Sequence, residues 1–357
     1  MRRITRIATV GIASAALALS ATACGGKKSS DASSSSSSSS SSETKSAGAA
    51  IAYDVGGRGD QSFNDAAYAG LEKAAKDLKV KTAEAEPTEG ESEADKVQRL
   101  TELARKGNNP VIGVGFSYAP AIKKVAAKFP NTTFGIIDDT SVTEKNIANL
   151  VFNEEQGSYL AGVAAAKASK SNTVGFIGGV EVPLIKKFQA GFEQGVKDTN
   201  PNAKVLSAYL TQPPDFSGFA KPDLGKATAK GQLDGGADVI YAAAGLAGSG
   251  AIEAASSAGK WAIGVDSDQY NQAGLSKYKD HILTSVTKDV SDAVYNLIKS
   301  VKDGKPESGE VRYGLDKNGV GLADSNPKYK EMTDVTAAVE KAKADIIAKK
   351  ITVKTTP

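Results

Sequence analysis

Residues 111–139 read VIGVGFSYAPAIKKVAAKFPNTTFGIIDD, and this stretch contains one complete strand–helix–strand unit. The apolar run at 111–115 is typical of a buried strand, and residues 118–128 have the spacing of an amphipathic helix. A second apolar strand follows at 133–137. Because the helix between them returns the chain to the same end of the sheet, the two strands are expected to run parallel.

The same alternation continues on both sides of this unit. It predicts further strands at 49–54, 80–83, 149–152, 173–177, 204–209, 239–243, 261–265 and 282–286. Helices are predicted between them at 63–78, 93–107, 156–168, 185–199, 224–234 and 250–258. A break near Asn153 divides the alternation into two runs, which predicts an α/β protein with two similar lobes. Ligands of parallel sheets bind beyond the carboxyl ends of the strands, so we expect a cleft between the lobes.

The N-terminal residues have the pattern of an export signal. Three arginines within the first six residues precede an apolar run at 7–19, which has no acidic residue and is too short to span a membrane as a mature helix. We predict a signal peptide at 1–23 and acylation of Cys24, the one cysteine in the sequence, with palmitate-type chains that hold the protein on the extracytoplasmic face of the cell membrane. The alternative is an ordinary signal peptide with an incidental cysteine. The serine-rich residues 24–48 are predicted to form a flexible tether.

The charge balance argues against nucleic-acid binding. The chain has 44 basic and 41 acidic residues, and removal of the leader takes away three arginines, so the mature protein is formally neutral. Nucleic-acid-binding domains usually carry a marked basic excess. A catalytic set is also missing from the sequence: His281 is its one histidine, and the glycine-rich residues 245–250 lack the spacing of a phosphate loop. We expect neither a metal nor another cofactor.

Several sequence blocks between residues 49 and 300 carry a family signature. They include DVGG at 54–57, DQSFN at 60–64, FNEEQGSYLAG at 152–162 and IGVDSDQ at 263–269. In this order the blocks resemble the basic membrane protein family, whose members are lipoprotein receptors of ABC nucleoside importers. The resemblance implies the type I periplasmic-binding-protein fold, with two doubly wound parallel-sheet lobes joined by a hinge. We expect the hinge crossovers near Asn153, Ser285 and Gly309.

The resemblance also implies a division of the chain into segments. Residues 49–152 and 288–309 are expected to form the first lobe, and residues 153–287 the second. Residues 310–357 are expected to pack on the lobes as a C-terminal strand and helix segment, because 337–348 has a lysine-rich helical pattern.

A nucleoside site requires flat apolar surfaces for the base, and the candidates here are phenylalanines. Phe63 lies at a strand-to-helix turn, where the alternative role is to pack against its own helix. The resemblance implies that Phe63 stacks on the base and that Asp60 and Asn64 form hydrogen bonds nearby. It implies a second stacking ring from the other lobe, Phe219 by the best alignment and Phe216 as the alternative.

Polar candidates follow the predicted strands. Asp266 ends the strand at 261–265, where its carboxylate could accept hydrogen bonds from two ribose hydroxyls. Lys288 follows the strand at 282–286, and we expect its ammonium group to pair with Asp266 and to donate to a ribose oxygen. Asp138, with Asp139 as the alternative, is expected to contact the edge of the base. Gly245 would let the backbone approach the ligand closely, and Asp54 either braces the cleft or forms a turn.

These features predict an exported receptor that binds a nucleoside, with purines favoured, and delivers it to the permease and ATPase subunits of an ABC importer. We expect the receptor to be a monomer without enzymatic activity. One alternative is a receptor for a sugar or another small polar solute. The other is an exported enzyme that cleaves nucleosides, although the residues that such an enzyme would use are not evident in the sequence.

Overall fold

Two six-stranded sheets organise residues 48–357, the part of the chain that the computed structural model describes. The predicted signal peptide, Cys24 and residues 25–47 of the predicted tether lie outside the described residues. Gly48, which was predicted as the last residue of the tether, is the first residue of a strand. Within residues 48–357, no helix is both long enough and apolar enough to cross a bilayer.

The first sheet is parallel throughout. With strands numbered along the chain, it contains β1 (Gly48–Ala52), β2 (Thr82–Ala85), β3 (Asn108–Gly113), β4 (Phe134–Ile137), β5 (Ile147–Phe152) and β11 (Gly309–Tyr313). Their order is β11-β5-β4-β3-β1-β2. The helices packed around this sheet are α1 (Phe63–Leu78), α2 (Glu93–Arg105), α3 (Ala119–Ala126) and α8 (Val290–Lys302). This sheet and its helices form the first lobe.

The second sheet has the same order and one antiparallel edge. It contains β6 (Thr173–Val180), β7 (Lys204–Thr211), β8 (Val239–Ala243), β9 (Trp261–Asp266), β10 (Ile282–Lys288) and β12 (Val320–Leu322). Their order is β12-β10-β9-β8-β6-β7, and the edge strand β12 runs antiparallel to β10. The helices of this second lobe are α4 (Glu154–Ala168), α5 (Pro183–Thr199), α6 (Pro222–Asp234), α7 (Ala247–Ser257), α9 (Pro327–Glu331) and α10 (Thr333–Ile347).

The chain passes between the two sheets three times, after β5, after β10 and after β11. The first passage lies next to Asn153, and the second follows Lys288, a little later than the predicted crossover near Ser285. The third lies between Tyr313 and Val320 and not near Gly309, because Gly309 begins β11, which pairs with β5 in the first sheet. The predicted two-lobed α/β fold with parallel sheets is confirmed.

The matching strand orders make positions in the two lobes equivalent. β4 in the first sheet corresponds to β9 in the second; Asp138 directly follows β4, and Asp266 is the last residue of β9. Both aspartates have left-handed backbone conformations, with φ of 70° and 62°. This conformation is uncommon outside glycine, although aspartate tolerates it better than most residues. The two carboxylates therefore lie at equivalent turns, with the same uncommon backbone conformation, at the carboxyl ends of the two sheets.

Candidate functional site

A cavity with an empty volume of about 560 Å³ lies where the carboxyl ends of the two sheets face each other. All eight residues that were predicted to contact the ligand line it: Asp60, Phe63, Asn64, Asp138, Phe219, Gly245, Asp266 and Lys288. The fold therefore brings together residues that are separated by more than 200 positions in the sequence.

The loop that presents Phe63 is held by hydrogen bonds from its polar neighbours. Asp60 accepts hydrogen bonds from the backbone N–H groups of Ser62 at 2.9 Å and Asn64 at 2.8 Å. The Asn64 side chain donates to Asp60 at 3.0 Å and accepts from the Asp54 N–H at 3.0 Å. Asp60 and Asn64 are almost fully buried, whereas Phe63 is only partly buried. The two polar side chains thus shape the first turn of α1, from which the Phe63 ring reaches the cavity.

Lys288 pairs with a different aspartate from the one that was predicted. Its Nζ lies 2.5 Å from Asp138 Oδ2 and 3.4 Å from Glu154 Oε1, and its side chain is 3% exposed. The expected pairing with Asp266 is therefore wrong in this structure. Lys288 ends β10 in the second lobe, and its side chain extends across the cleft to Asp138 in the first lobe. Its ammonium group also lies 5.0 Å from the centre of the Phe63 ring.

The Asp138 carboxylate is buried and only partly satisfied. Oδ2 accepts from Lys288, whereas Oδ1 is buried and has no hydrogen-bond partner. Burial raises the pKa of Asp138 to about 7, with Lys288 opposing the shift and the charges of Glu154 and Asp266 adding to it. Burial alone would lower the pKa of Lys288, but the surrounding carboxylates raise it above its usual value. The cavity thus contains a charged ammonium group and an unused carboxyl oxygen beside it.

Asp266 is oriented by a residue of the opposite lobe. Its Oδ2 accepts a hydrogen bond from the hydroxyl of Ser62 at 2.6 Å, and Ser62 is fully buried. Loss of surrounding water raises the pKa of Asp266, while Lys288 and the Ser62 hydrogen bond lower it. The Ser62 contact could not be predicted from local sequence patterns, because the two residues are 204 positions apart.

Phe219 and Gly245 are packed together in the second lobe. Gly245 has a φ of 53°, and a Cβ at this position would lie 3.1 Å from the carbonyl oxygen of Phe219. The absence of a side chain therefore allows the close approach of the Phe219 backbone as well as access to the cavity.

Of the alternative residues, Phe216 packs against Phe116 at 6.0 Å between ring centres, and Asp139 accepts hydrogen bonds from Ser141. Neither alternative lines the cavity.

Several apolar lining residues were missed by the sequence analysis. Phe116 follows the end of β3, so a search of every predicted strand end would have found it. Leu184, Ile185 and Phe188 lie on the first turns of α5 and cover the cavity from the second lobe. Their spacing is that of an ordinary buried helix face, so the sequence contained no signal that distinguishes them from core residues.

Asp54 contributes a further buried carboxylate at the end of β1. Its Oδ1 accepts a hydrogen bond from the Ser117 hydroxyl at 2.8 Å. Burial raises the pKa of Asp54, and Lys96 and Ser117 oppose that shift. Among residues 48–357, no group of three or more histidine, cysteine or acidic side chains has an arrangement that could hold a metal ion.

The cavity combines apolar rings with hydrogen-bond acceptors. Phe63 and Phe116 come from the first lobe, and Phe188 and Phe219 come from the second. Carboxylates outnumber the single ammonium group of Lys288 among the lining residues, so the site is rich in acceptors. A flat, uncharged ligand with several N–H or O–H donors matches this arrangement.

Comparison with known proteins identifies the family of this chain. The family model Bmp, described as ABC transporter substrate-binding protein PnrA-like, matches residues 49–356. A CD4+ T-cell-stimulating antigen of Listeria monocytogenes is 36% identical over 85% of this chain and 87% of its own length. An ABC transporter nucleoside-binding protein, BmpA, of Lactococcus lactis is 35% identical over 85% of this chain and 88% of its own.

A solved structure gives the same result at the level of the fold. A solute-binding protein of an ABC transporter system from Aeropyrum pernix superposes with a TM-score of 0.75 and is 29% identical, and the match covers 86% of this chain and 93% of that protein. The family match extends over nearly all of the described residues, and both lobes are included in it. This chain therefore belongs to the PnrA-like Bmp family of ABC transporter substrate-binding proteins.

Proposed function

We propose that the cleft binds a nucleoside, with purines favoured, and that the receptor delivers it to the permease and ATPase subunits of an ABC importer. The observation that carries the proposal is the convergence of Phe63 and Phe219, from opposite lobes, on one cavity with the carboxylates of Asp138 and Asp266. Phenylalanine rings on both lobes suit a flat base, and carboxylates suit ribose hydroxyls and base N–H groups. The Lactococcus relative is named as a nucleoside-binding protein.

We assign a role to each of these residues, and its position in the cleft supports the assignment. Phe63 and Phe219 would clamp the base when the lobes close. Asp266 would accept from the ribose hydroxyls, because Ser62 occupies only one of its oxygens in the contacts described above. The free Oδ1 of Asp138 would accept from an N–H group of the base, with Lys288 beside it as a donor.

Calorimetry with nucleosides, free bases and sugars on the same preparation tests this proposal. We expect nucleosides to bind and Phe63→Ala to weaken their affinity about ten- to a hundredfold, which corresponds to a loss of about 1–3 kcal/mol of stacking. Phe129→Ala is the matched control, because Phe129 is a partly buried ring of the first lobe that packs against the core outside the cavity. If the protein binds sugars but not nucleosides, it is a sugar receptor and the proposal is wrong. If it releases free base from a nucleoside, it is an enzyme.

We also propose that the receptor acts as a monomer anchored to the extracytoplasmic face of the membrane through Cys24. Residues 25–47 would then act as the tether between the lipid and the first lobe. Cys24→Ser should move the protein from the washed membrane fraction to the soluble fraction, because the acyl groups are lost and no helix within residues 48–357 could hold the chain in a bilayer. Full retention on washed membranes would contradict the lipid anchor and would leave the ligand site unaffected.

A further inference from the structure

Besides the ligand cavity, the two lobes meet in a set of direct hydrogen bonds. Gln61 and Ser62 belong to the loop before α1 in the first lobe. On the second lobe, Ser267, Gln269 and Gly274 follow β9. We call these five residues the inter-lobe latch.

The latch contains three well-formed hydrogen bonds in addition to the Ser62–Asp266 contact. The Ser267 hydroxyl donates to the Ser62 carbonyl at 2.9 Å, and Gln269 Nε2 donates to the Gln61 carbonyl at 3.0 Å. The Gly274 N–H donates to Gln61 Oε1 at 3.0 Å. These lengths are normal for hydrogen bonds in proteins. All three would break together if the lobes separated, because each joins one lobe to the other.

Each half of the latch is held in place by its own lobe. The Gln269 side chain accepts from the Val265 N–H at 3.1 Å, and its backbone N–H donates to the Ser285 hydroxyl at 3.0 Å. Gln269 is 1% exposed. On the other side, Gln61 has a left-handed backbone with φ of 56°, and its Nε2 donates to the Gly59 carbonyl at 3.2 Å. Both side chains are therefore oriented before they meet.

The latch is adjacent in sequence to the residues that line the cavity. Phe63 follows Ser62 directly, and Asp266 precedes Ser267 directly. Closing the latch therefore brings Phe63 of the first lobe and Asp266 of the second to the lining of the same cavity. The hydrogen bonds of the latch are not part of either sheet, and each sheet is complete without them.

We propose that Gln61 is a positioning residue that holds the lobes closed over the bound ligand through its hydrogen bond to Gly274, and so sets the rate at which the ligand leaves. This inference rests on the proposed function of the cleft. Association would involve lobes that are open, with the latch broken, whereas dissociation would require the latch to open. Loss of one of these hydrogen bonds should therefore change the dissociation rate and leave the association rate almost unchanged.

Stopped-flow kinetics on the full chain tests the inference with Gln61→Met, which keeps the length of the side chain and removes both the acceptor for Gly274 and the donor to the Gly59 carbonyl. Only the bond to Gly274 joins the two lobes, so we expect dissociation of the tightest-binding nucleoside to accelerate roughly two- to tenfold, as the loss of one inter-lobe hydrogen bond implies. The matched control is Gln98→Met on the exposed face of α2, where Gln98 contacts only Glu102 of the same helix among the described hydrogen bonds. Equal dissociation rates in the two variants would overturn the inference, as would a matching fall in the association rate.

Hydrogen exchange at the Val265 amide gives a second readout that does not require a ligand, because this amide lies in the buried lining of the cleft and donates to Gln269, not to Gln61. If Gln61 holds the lobes closed, the Val265 amide should exchange faster in Gln61→Met than in Gln98→Met. If the wild-type protein binds no nucleoside, the proposed function fails, and the exchange result still decides whether Gln61 holds the lobes closed. Faster exchange in Gln61→Met would support the latch, and identical exchange in the two variants would overturn it.

Discussion

At the scale of single residues, the cleft is organised by one lysine among several carboxylates. Lys288 is 3% exposed and lies near Asp138 and Glu154, which are 4% and 1% exposed at their side chains. Its position could be predicted only in part. The residue follows a strand, so it had to lie near the cleft, but the strand pattern does not show which carboxylate its long side chain reaches.

Replacement of Lys288 by methionine should destabilise the protein by about 3–5 kcal/mol, because it leaves buried carboxylates without their cation. Combining it with Asp138→Asn should recover part of the loss, since that variant removes one of the unpaired charges. The measurement is the free energy of unfolding in urea, with all variants at the same pH.

Lys187→Met is the control for this experiment. Lys187 also approaches Glu154, at 3.4 Å, but its side chain is 31% exposed. A partly exposed ion pair of this kind contributes less than about 1 kcal/mol. If Lys187→Met and Lys288→Met lower the free energy of unfolding by the same amount, the buried charge cluster does not stabilise the protein more than a partly exposed ion pair does.

At the scale of elements, helices α4 and α5 pack with their backbones in unusually close approach. Gly191 and Gly195 lie one turn apart on α5, facing Glu155 and Tyr159 on α4. A Cβ at Gly195 would lie 2.1 Å from the carbonyl oxygen of Tyr159. The sequence predicted both helices, but glycine within a helix usually indicates only a loss of helix propensity. The tertiary contact supplies the reason for these glycines.

Gly195→Ala should therefore destabilise the protein by about 1–3 kcal/mol, because the added methyl group forces the two helices apart. Gly231→Ala is a useful contrast, since Gly231 is exposed on α6 and, apart from its chain neighbours and the backbone of its own helix, no described atom lies within 4 Å of the Cβ it would gain. That variant should stabilise the protein by about 0.5–1 kcal/mol through helix propensity. Thermal unfolding of the two variants tests these expectations. If Gly195→Ala raises the unfolding temperature, the two helices can move apart without loss of stability, and the prediction is wrong.

At the scale of the whole molecule, burial of acidic groups between and beside the lobes links stability to pH. Burial raises the pKa of Asp60 to about 6, and backbone hydrogen bonds oppose the shift. Burial also raises the pKa of Glu155 to about 7. A raised pKa means that the folded state holds the proton more tightly than the unfolded state. The stabilisation from these groups is present at acidic pH and is lost as the pH rises towards 7.

Glu155→Gln isolates one such contribution, because the amide resembles the protonated acid and does not titrate. As the pH rises from 5 to 8, the free energy of unfolding of Glu155→Gln should increase relative to that of the wild type by on the order of 1–3 kcal/mol. Urea unfolding at both pH values gives the difference. The exposed Glu310→Gln serves as the control for charge removal. If the free energies of unfolding of the wild type and Glu155→Gln differ by the same amount at pH 5 and pH 8, this linkage is refuted.

Local sequence patterns determined the secondary-structure elements, the two lobes and many of the residues that line the cavity. Apolar runs and helical spacing predicted the alternating elements and the two lobes, and strand ends together with family motifs predicted residues that all line the cavity. This worked because strand and helix periodicity is contained within a few neighbouring residues. The carboxyl ends of parallel strands must then meet at one edge of each sheet.

Only the tertiary structure decided which side chains meet. Lys288 contacts Asp138 at a separation of 150 residues, and Ser62 contacts Asp266 at a separation of 204. Such contacts depend on how the two lobes are placed by three crossovers, and on the direction that each side chain takes from its backbone. No periodicity within one segment contains that information. The pairing of charges in the cleft, the apolar wall from α5 and the inter-lobe latch therefore became visible only in the folded molecule.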